Sequence, residues 1–289
     1  MNEKMNIQWY PGHMTKTRRQ IESDLKLVDA VCEIVDARIP VSSRNPDIDA
    51  ICGAKPRIIV LNRMDLADPN ITKLWLAYFR SQGMAAVATD CKSRRGIADF
   101  QPAVRSLLHE KLERNAAKGM NKPIRVMVVG IPNVGKSTLI NQISGRKGAK
   151  AENRPGVTRG KQWVSVDSNF LLLDTPGILW PKFEDPEVGM MLAYTGAVKE
   201  NVIDTEELAC RLMELLLKHY PHTLKERYGI DVPDETPGYE LLELAGRKRG
   251  YLLARAEINT ERMAKVLLDE YRSGKLGNIT FEKPEGVNE

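Results

Sequence analysis

The sequence has little of what marks a zinc-binding, secreted or membrane protein. Its 289 residues include four cysteines, none in a Cys-x-x-Cys pair, which argues against a zinc site and a disulfide framework. The first residues lack the apolar stretch of a signal peptide, and no later run approaches the roughly 20 apolar residues that span a bilayer. A hydrophobic content of 42% can form one large core and a smaller second one. We therefore expect a cytoplasmic globular protein with no membrane partner.

The formal net charge of +5 is unevenly distributed along the chain. Residues 1–184 hold 29 Lys and Arg against 18 Asp and Glu, whereas residues 185–289 hold 14 against 20. Such a basic field over the first two thirds of the chain would attract a polyanion. An ordinary solvated surface explains the same counts equally well.

Short runs rich in Val and Ile alternate with amphipathic segments of helix length. Continuous apolar strands separated by helices are typical of a parallel sheet covered on both faces. We therefore predict an α/β domain with a mostly parallel six-stranded sheet and helices on both faces. The predicted strands are 30–36, 57–62, 85–89, 125–130, 161–166 and 170–174, and the predicted helices are 14–27, 70–82, 97–114 and 137–144.

Strand signals fade after residue 180, and helical patterns replace them. Asp204 can cap a helix that extends to about Tyr220, with Glu207 completing a capping box. Two more helices are predicted at 239–248 and 259–272. We place a domain boundary near residues 181–200, which gives a first domain at 1–181 and a small all-helical domain at 182–289.

The strongest chemical signal is Gly130-Ile-Pro-Asn-Val-Gly-Lys-Ser-Thr138, which follows an apolar strand and opens a helix. This is the pattern and the context of a phosphate loop. Its glycines let backbone N–H groups surround the phosphates, Lys136 can reach the β and γ oxygens, and the Ser137 hydroxyl can bind Mg²⁺. The predicted nucleotide contacts here are Asn133, Val134, Gly135, Lys136, Ser137 and Thr138.

A second phosphate-site motif, Asp174-Thr-Pro-Gly177, ends the strand FLLLD. Asp174 would hold Mg²⁺, and the N–H of Gly177 would contact the γ-phosphate. An Asp before Pro-Gly is otherwise an ordinary turn, and only the preceding phosphate loop favours the functional interpretation. Between the two motifs, Thr158 is the natural second hydroxyl for Mg²⁺, although its segment can also be a simple Pro-Gly loop.

Base recognition is predicted at Asn62-Arg63-Met64-Asp65, which follows an apolar strand. The Asp65 carboxylate can accept hydrogen bonds from N1–H and the 2-amino group of guanine, which adenine lacks. Arg63 stands where the related NKxD motif has Lys, and the two are not equivalent. Thr89-Asp90-Cys91-Lys92 follows the next strand and resembles the SAK-type loop whose main chain backs the base; taken alone, it is only a loop. These motifs predict that Asn62, Arg63, Asp65, Thr89, Asp90 and Cys91 bind GTP.

The base-recognition motifs precede the phosphate loop, whereas they follow it in the Ras-like arrangement. Joining the old termini, here through residues 115–122, and opening new ones preserves the same sheet. The chain thus resembles the circularly permuted P-loop GTPases, and further segments resemble the ribosome biogenesis GTPase A family over nearly the whole length. These segments are WYPGHM at 9–14, DARIP at 36–40, SSRNP at 42–46, DTPGILWP at 174–181 and GKLGNIT at 274–280.

This resemblance implies a GTPase that acts in late assembly of the bacterial large ribosomal subunit, binding rRNA in a nucleotide-dependent way. It also implies that the helical domain contacts RNA. Separately, we expect a monomer, although the sequence does not determine the oligomeric state. The basic cluster of that domain consists of Arg247, Lys248, Arg249 and Arg255. Its members could neutralise RNA phosphates, or they could be a solvated helix end favoured by the helix dipole.

The predicted hydrolytic machinery lacks the glutamine that orients water in Ras-like enzymes, because Ile178 follows Gly177. The family resemblance offers His13 as a catalytic group beside Lys136 and Gly177. Asn133 resembles the residue that binds K⁺ in cation-activated GTPases. Structural roles for His13 and Asn133 stay open, and so does a second class of function, a nucleotide-gated RNA-binding module with incidental hydrolysis.

Overall fold

The computed structural model describes residues 14–145, 162–177, 185–198, 204–253 and 257–285, without the side chains of 14–17. Four residues named above, His13, Thr158, Ile178 and Arg255, lie outside this description. The described residues divide into two compact units. The first holds 14–177 together with 282–285, and the second holds 185–281.

The first unit is built on a six-stranded sheet with the strand order β3-β2-β1-β4-β6-β5. All neighbouring strands are parallel except β5 and β6, which form an antiparallel pair. The strands are β1 (Ala30–Asp36), β2 (Arg57–Asn62), β3 (Ala85–Thr89), β4 (Ile124–Val129), β5 (Gln162–Asp167) and β6 (Phe170–Asp174). The predicted mostly parallel sheet is therefore confirmed.

The helices of the first unit cover both faces of this sheet. They are α1 (Met14–Asp24), α2 (Asp47–Cys52), α3 (Pro69–Ser81), α4 (Phe100–Leu107), α5 (His109–Ala117) and α6 (Lys136–Ser144). All seven residues of β1 are buried, as a central strand between two layers requires. Val35 packs with Trp75 and Phe79 of α3 on one face. On the other face, Phe100 of α4 makes an edge contact with Phe170.

The parallel strands bring several loops to one edge of the sheet. Successive strands β1, β2 and β3 extend the sheet in one direction, whereas β4 and β6 extend it in the other. The order therefore reverses between β1 and β4. In open α/β sheets, ligands bind beyond the carboxyl ends of the strands at such a reversal. The loops after β1, β2, β3, β4 and β6 meet there.

The second unit is a helical bundle around an apolar core. Its helices are α7 (Pro186–Tyr194), α8 (Thr205–His219), α9 (Pro221–Tyr228), α10 (Gly238–Lys248) and α11 (Thr260–Ser273). Leu212, Leu241 and Leu267 are fully buried among them. Gly238 allows α10 to approach α8, because a Cβ at this position would lie 2.2 Å from the carbonyl oxygen of Cys210.

The predicted cap of α8 forms in part. The Asp204 carboxylate accepts hydrogen bonds from the N–H groups of Glu206 (2.8 Å) and Glu207 (3.1 Å). The Glu207 carboxylate accepts hydrogen bonds from Arg211, one turn later, at 3.0 and 3.2 Å. The Asp204 cap therefore satisfies the first N–H groups of the helix. Glu207 pairs with Arg211 on the exposed side of the helix instead of forming the second half of a capping box.

The end of the chain returns to the first unit. The Glu282 carboxylate accepts hydrogen bonds from the N–H groups of Val41 (2.5 Å) and Ser42 (3.1 Å) and from the Ser42 hydroxyl. Its backbone carbonyl accepts a hydrogen bond from the Trp75 indole at 2.8 Å. The domain ranges 1–181 and 182–289 stay a prediction. In the structure, residues 282–285 group with the first unit.

Candidate nucleotide-binding site

The segment between β4 and α6 has the backbone of a tight phosphate loop. Gly135 has φ +108°, and a Cβ there would lie 2.4 Å from Asn62 Nδ2. A Cβ at Gly130 would lie 2.6 Å from the Ile34 carbonyl oxygen. Asn133 has φ +60°, a left-handed conformation that Asn tolerates better than most residues. Gly130 is therefore required by the close approach of the β1 backbone, and Gly135 by its positive φ and the adjacent Asn62 side chain. α6 begins directly behind the loop.

Lys136 lies at the start of α6 and is buried inside this loop. Its Nζ donates hydrogen bonds to the carbonyl oxygens of Gly130 (3.0 Å) and Ile131 (2.9 Å). Burial lowers the pKa of Lys136 to about 8, and the charge of Asp174 opposes this shift. Burial raises the pKa of Asp174, and the Lys136 ammonium opposes that shift in turn. The two predicted phosphate-site residues therefore interact with each other across the loop.

The segment after β6 touches the phosphate loop directly. The Thr175 hydroxyl donates a hydrogen bond to the carbonyl of Val128 in β4 at 2.7 Å, which fixes the start of the turn. A Cβ at Gly177 would lie 2.8 Å from Lys136 Nζ and 3.0 Å from the backbone of Pro132. The D-x-x-G glycine is thus placed against the lysine that would contact the terminal phosphates.

Asn62 joins the base-recognition loops to the phosphate loop. Its side chain is buried, and Nδ2 donates a hydrogen bond to the carbonyl of Val134 at 2.8 Å. The Thr89 hydroxyl donates to Asn62 Oδ1 at 3.2 Å, and the N–H of Met64 donates to the Thr89 carbonyl at 3.1 Å. One side chain therefore holds the ends of β2 and β3 against the loop after β4.

Arg63 makes a second connection between the same loops. Its backbone is left-handed, with φ +62°. One guanidinium nitrogen, NH2, donates a hydrogen bond to the Asn133 carbonyl at 2.6 Å. The other, NH1, lies 3.3 Å from Asp36 Oδ2, at the end of β1. The arginine that replaces the usual lysine is thus attached to two different elements.

The loop after β3 is closed by Asp90. Its carboxylate accepts hydrogen bonds from the N–H groups of Lys92 (2.9 Å) and Ser93 (3.3 Å) and from the Ser93 hydroxyl. Burial alone would raise the pKa of Asp90, but these hydrogen bonds and Arg95 hold it below its usual value. Cys91 is buried, and burial raises the pKa of its thiol to about 11. The side chain of Asp90 therefore shapes the loop, and the predicted base contact falls to its main chain.

The structure brings most of the predicted nucleotide residues to one edge of the sheet. Hydrogen bonds connect Asn62 with Thr89 and Val134, and Arg63 with Asn133. Gly135 lies close to Asn62, and Gly177 lies close to Lys136. Asp65, Ser137, Thr138 and Asp174 lie on the same loops or helix start, whereas His13 and Thr158 lie outside the described residues. The motifs did not indicate the contact of Asp36 with Arg63, although Asp36 opens the DARIP segment. The chemical roles of all these residues stay predictions.

The basic cluster of the helical unit has two different parts. Arg247 and Lys248 are exposed at the end of α10. Arg249 is half-buried; its guanidinium pairs with Glu270 at 3.1 Å and lies over the Tyr228 ring, 5.4 Å from its centroid. Glu270 also pairs with Arg227. Arg249 therefore has a structural role, and its RNA contact stays a prediction, as does that of Arg255, which lies outside the described residues.

In the ranges from 14 to 285 that the structure describes, no group of three or more His, Cys, Asp or Glu could hold a metal ion. Within the same ranges, no helix is long and apolar enough to cross a membrane.

The pKa of Lys136 makes nucleotide binding depend on pH. Phosphate oxygens favour the charged amine, so binding should take up a proton wherever the free protein has lost one, above about pH 8. We expect proton uptake on GDP binding to increase from pH 7.5 to 8.5, and affinity to fall by up to about tenfold per pH unit beyond pH 8. Calorimetric titrations in two buffers of different ionisation enthalpy measure this uptake.

The control for this measurement is GMP, which lacks the β-phosphate and should therefore take up less proton. Uptake that is the same for GDP and GMP, or absent at pH 8.5, would contradict the assignment to Lys136.

The pKa of Lys136 affects folding stability in the opposite direction to nucleotide binding as the pH rises. The unfolded chain, with a lysine pKa near 10.5, binds more protons than the folded one, so the unfolding free energy of the free protein should rise from about pH 8 to 10.5.

Known proteins resemble this chain in sequence. A family model described as "50S ribosome-binding GTPase" matches residues 125–219. Ribosome biogenesis GTPase A of Priestia megaterium is 48% identical over 97% of this chain and 98% of its own length. The protein of the same name from Thermotoga maritima is 32% identical over 97% and 96%. Mitochondrial ribosome-associated GTPase 1 of Mus musculus is 33% identical over 95% and 90%.

Solved structures resemble it as well. The GDP-bound structure of Thermotoga maritima YlqF matches with a TM-score of 0.65 and 30% identity, covering 92% of this chain and all of the other. The GNP-bound structure of the same protein matches with a TM-score of 0.62 and 29% identity over 94% of this chain. The matched family segment starts at β4 because the phosphate loop and the D-x-x-G motif both follow that strand in the permuted order.

Proposed function

This chain belongs to the family of ribosome biogenesis GTPase A, and we propose that it uses GTP binding and hydrolysis to control its binding to large ribosomal subunit particles. As a member of this family it is a GTP-hydrolysing enzyme. The observation that supports the proposal is the contact of the base-recognition loop with the phosphate loop through Asn62 and Arg63, within a chain that matches the curated relatives over nearly their whole length.

The site chemistry is assigned to this chain's own groups as follows. Lys136 and the backbone N–H groups of the phosphate loop stabilise charge on the transferred phosphoryl group. The N–H of Gly177 contacts the γ-phosphate. His13 positions the attacking water, and Asn133 is the candidate K⁺ ligand. These roles follow from the motif positions, and the contact of Gly177 with Lys136 supports them.

The donor set fits a hard cation such as Mg²⁺. Asp174 provides a half-buried carboxylate, Ser137 provides a hydroxyl at the start of α6, and Thr158 would provide a second hydroxyl. Oxygen ligands with few protein carboxylates are typical of Mg²⁺ bound together with a nucleotide. The cation would neutralise charge on the β- and γ-phosphates.

The partner proposed for this site is a large-subunit particle, contacted through its rRNA by the helical unit in the cytoplasm. The names of the relatives support a ribosomal partner, and the exposed pair Arg247 and Lys248 supplies cations for phosphate oxygens. A GTPase switch requires GTP to strengthen this binding relative to GDP, and by linkage the particle must raise GTP affinity by the same factor.

Co-sedimentation with purified large-subunit particles tests the proposal. We expect a non-hydrolysable GTP analogue to raise particle affinity about 5-fold to 150-fold over GDP. The double variant Arg247→Ala/Lys248→Ala should bind about tenfold more weakly, with a smaller salt dependence, because fewer counterions are released. GDP binding by the isolated variant should be unchanged.

Arg249 is left intact in this variant, because its removal would take away one of the arginine partners of the buried Glu270 carboxylate. The matched control is Lys225→Ala/Lys265→Ala. It removes the same charge from the same unit, but its lysines already pair with Asp231 (2.7 Å) and Glu261 (2.6 Å). Equal particle binding in GDP and in the analogue would refute the switch, and equal losses in the two double variants would refute a specific role of Arg247 and Lys248.

A further inference from the structure

The guanidinium of Arg63, in the base-recognition loop, bridges the phosphate loop and the end of β1. Arg63 donates to the Asn133 carbonyl at 2.6 Å through NH2 and faces Asp36 Oδ2 at 3.3 Å through NH1. A guanidinium carries five N–H donors in one plane and can hold two acceptors in fixed directions, whereas a lysine ammonium acts as a point charge. The orientation of Arg63 relative to the phosphate loop thus depends on its second acceptor, Asp36.

Asp36 is held firmly enough to act as a reference point for Arg63. It is the last residue of β1 and is 3% exposed. Arg38 donates to both carboxylate oxygens, from Nε at 2.9 Å and from NH2 at 2.8 Å, and its backbone N–H donates at 3.1 Å. The backbone N–H of Asp36 donates to the Ser43 hydroxyl at 2.9 Å. The carboxylate therefore has little freedom to follow Arg63.

The charge of Asp36 is equally well defined. Burial alone would raise its pKa, but the guanidinium groups of Arg38 and Arg63 hold the pKa below its usual value. The carboxylate is therefore ionised at neutral pH, and its bond to Arg63 joins two full charges in a partly buried place. Such charge-assisted contacts are stronger than neutral ones.

The hydrogen bond from Arg63 holds a residue of the phosphate loop, Asn133, that has a disfavoured backbone conformation. Asn133 and Arg63 face each other across the 2.6 Å hydrogen bond, and both have left-handed backbones, with φ +60° and +62°. Such backbones are disfavoured for residues other than glycine and persist where surrounding contacts hold them. Asp36, Arg63 and Asn133 therefore form one line of contacts from β1 to a residue inside the phosphate loop.

We propose that Asp36 is a positioning residue for nucleotide binding, which orients Arg63 and through it holds the Asn133 carbonyl and the phosphate loop in the binding geometry. This role rests on the guanine-nucleotide site of the proposed function but not on any ribosomal partner. Asp36 touches no nucleotide in this scheme. Replacing Asp36 should therefore lower nucleotide affinity, and the size of this loss should depend on the presence of Arg63.

The same strand offers a matched control. Glu33 is another buried carboxylate of β1, 1% exposed, and Arg44 donates to both of its oxygens at 3.2 and 3.0 Å. Arg44 continues to Asp49 on α2 rather than to the nucleotide loops. Glu33→Gln and Asp36→Asn thus each replace a buried carboxylate of β1 that pairs with an arginine, and only the second affects the contact with Arg63.

The first experiment measures the affinity of fluorescent GDP and the steady-state kinetics of GTP hydrolysis. We expect Asp36→Asn to weaken GDP binding about 10-fold to 100-fold, the loss of a charge-assisted contact. The kcat at saturating GTP should change less than about threefold, because Asp36 acts through binding. Glu33→Gln should lower thermal stability comparably but leave GDP affinity within about twofold. Equal affinity losses in the two variants would overturn the proposal.

A double-mutant cycle then tests whether Asp36 acts through Arg63. In an Arg63→Met background, Asp36→Asn should change GDP affinity by less than about twofold, because the shared contact is already lost. An equally large effect in both backgrounds would refute the positioning role. If Asp36→Asn does not fold, Arg63→Lys decides: we expect about tenfold weaker GDP binding from a residue that cannot bridge both acceptors, and unchanged affinity would overturn the proposal.

The baseline of both experiments separates this inference from the proposed function. If the unmodified protein bound no guanine nucleotide, the proposed function itself would fail. If it bound GDP tightly and Asp36→Asn bound equally well, the positioning role alone would fail.

Discussion

Replacing Gly177 by Ala should lower kcat for GTP hydrolysis by about 10²-fold to 10³-fold, the usual effect of losing one contact to the developing charge. A Cβ at this position would lie 3.0 Å from the backbone of Pro132, which cannot move without deforming the phosphate loop. It would also lie 2.8 Å from Lys136 Nζ and would displace that amine. Single-turnover hydrolysis with and without particles measures the effect.

The binding of GDP serves as the internal control for Gly177→Ala. The N–H of Gly177 is assigned to the γ-phosphate, so GDP affinity should fall much less than the affinity for a non-hydrolysable GTP analogue. A variant that hydrolyses GTP at the normal rate would show that the segment after β6 is not part of the catalytic machinery. Equal losses for GDP and the analogue would place the damage in the phosphate loop instead.

Replacing Asp65 by Asn should change which base the site accepts. The carboxylate can pair with N1–H and the 2-amino group of guanine, whereas an amide can pair with the oxygen that xanthine has in place of that amino group. Sites built around a substrate donor discriminate by about 10⁴-fold or more. We therefore expect the ratio of GDP to XDP affinity to fall by about 10⁴-fold, measured by competition against fluorescent nucleotides.

The neighbouring Asp68 provides a matched control for this substitution. Its carboxylate caps α3 by accepting hydrogen bonds from the N–H groups of Asn70 (2.7 Å) and Ile71 (3.2 Å), and Asn can replace Asp in that role. Asp68→Asn should therefore keep the preference for guanine. If unmodified protein bound ADP as tightly as GDP, the assignment of Asp65 to the base would be wrong.

The sheet could be predicted closely because its strands carry a strong local signal. The ranges of β1, β2, β3 and β6 agree with their predicted ranges, and β4 and β5 differ by one residue at each end. β5 is an antiparallel edge strand with one buried residue, whereas the other strands are short, largely apolar runs. In a parallel sheet buried on both faces, such runs leave little choice of boundary.

Helices gave a weaker signal where they are short or interrupted. The predicted helix 97–114 was wrong as a single element, because a 3-10 turn at Ile97–Asp99 precedes α4 and a break at Leu108 separates α4 from α5. Leu108 has φ −101° and ψ 11°, and its side chain is 3% exposed. The buried Leu108 side chain fits the apolar pattern of a continuous helix, although its backbone is not helical. The sequence pattern therefore does not reveal the break. The helices α2, α7 and α9, with six to nine residues each, were not predicted.

The residues of the site could be predicted from motifs, but the contacts among them could not. Each motif names chemical groups at fixed spacing, and that information is local. The contact between Asp36 and Arg63 joins the end of β1 to the residue that follows β2, and the one between Arg63 and Asn133 spans 70 residues. Nothing in the spacing of these residues specifies which donor meets which acceptor. Only the strand order and the loop conformations determine it.

The return of residues 282–285 means that the helical unit is an insertion rather than an appendage. A chain cut short after residue 181 would lose Glu282, and with it the acceptor for the N–H groups of Val41 and Ser42 and for the indole of Trp75. Shortening the gene is therefore the wrong way to isolate the catalytic half. Excising the helical segment and splicing residue 282 back through a flexible linker would preserve the anchor, whereas a single cut before residue 185 would leave the two fragments associated only through non-covalent contacts such as those of Glu282.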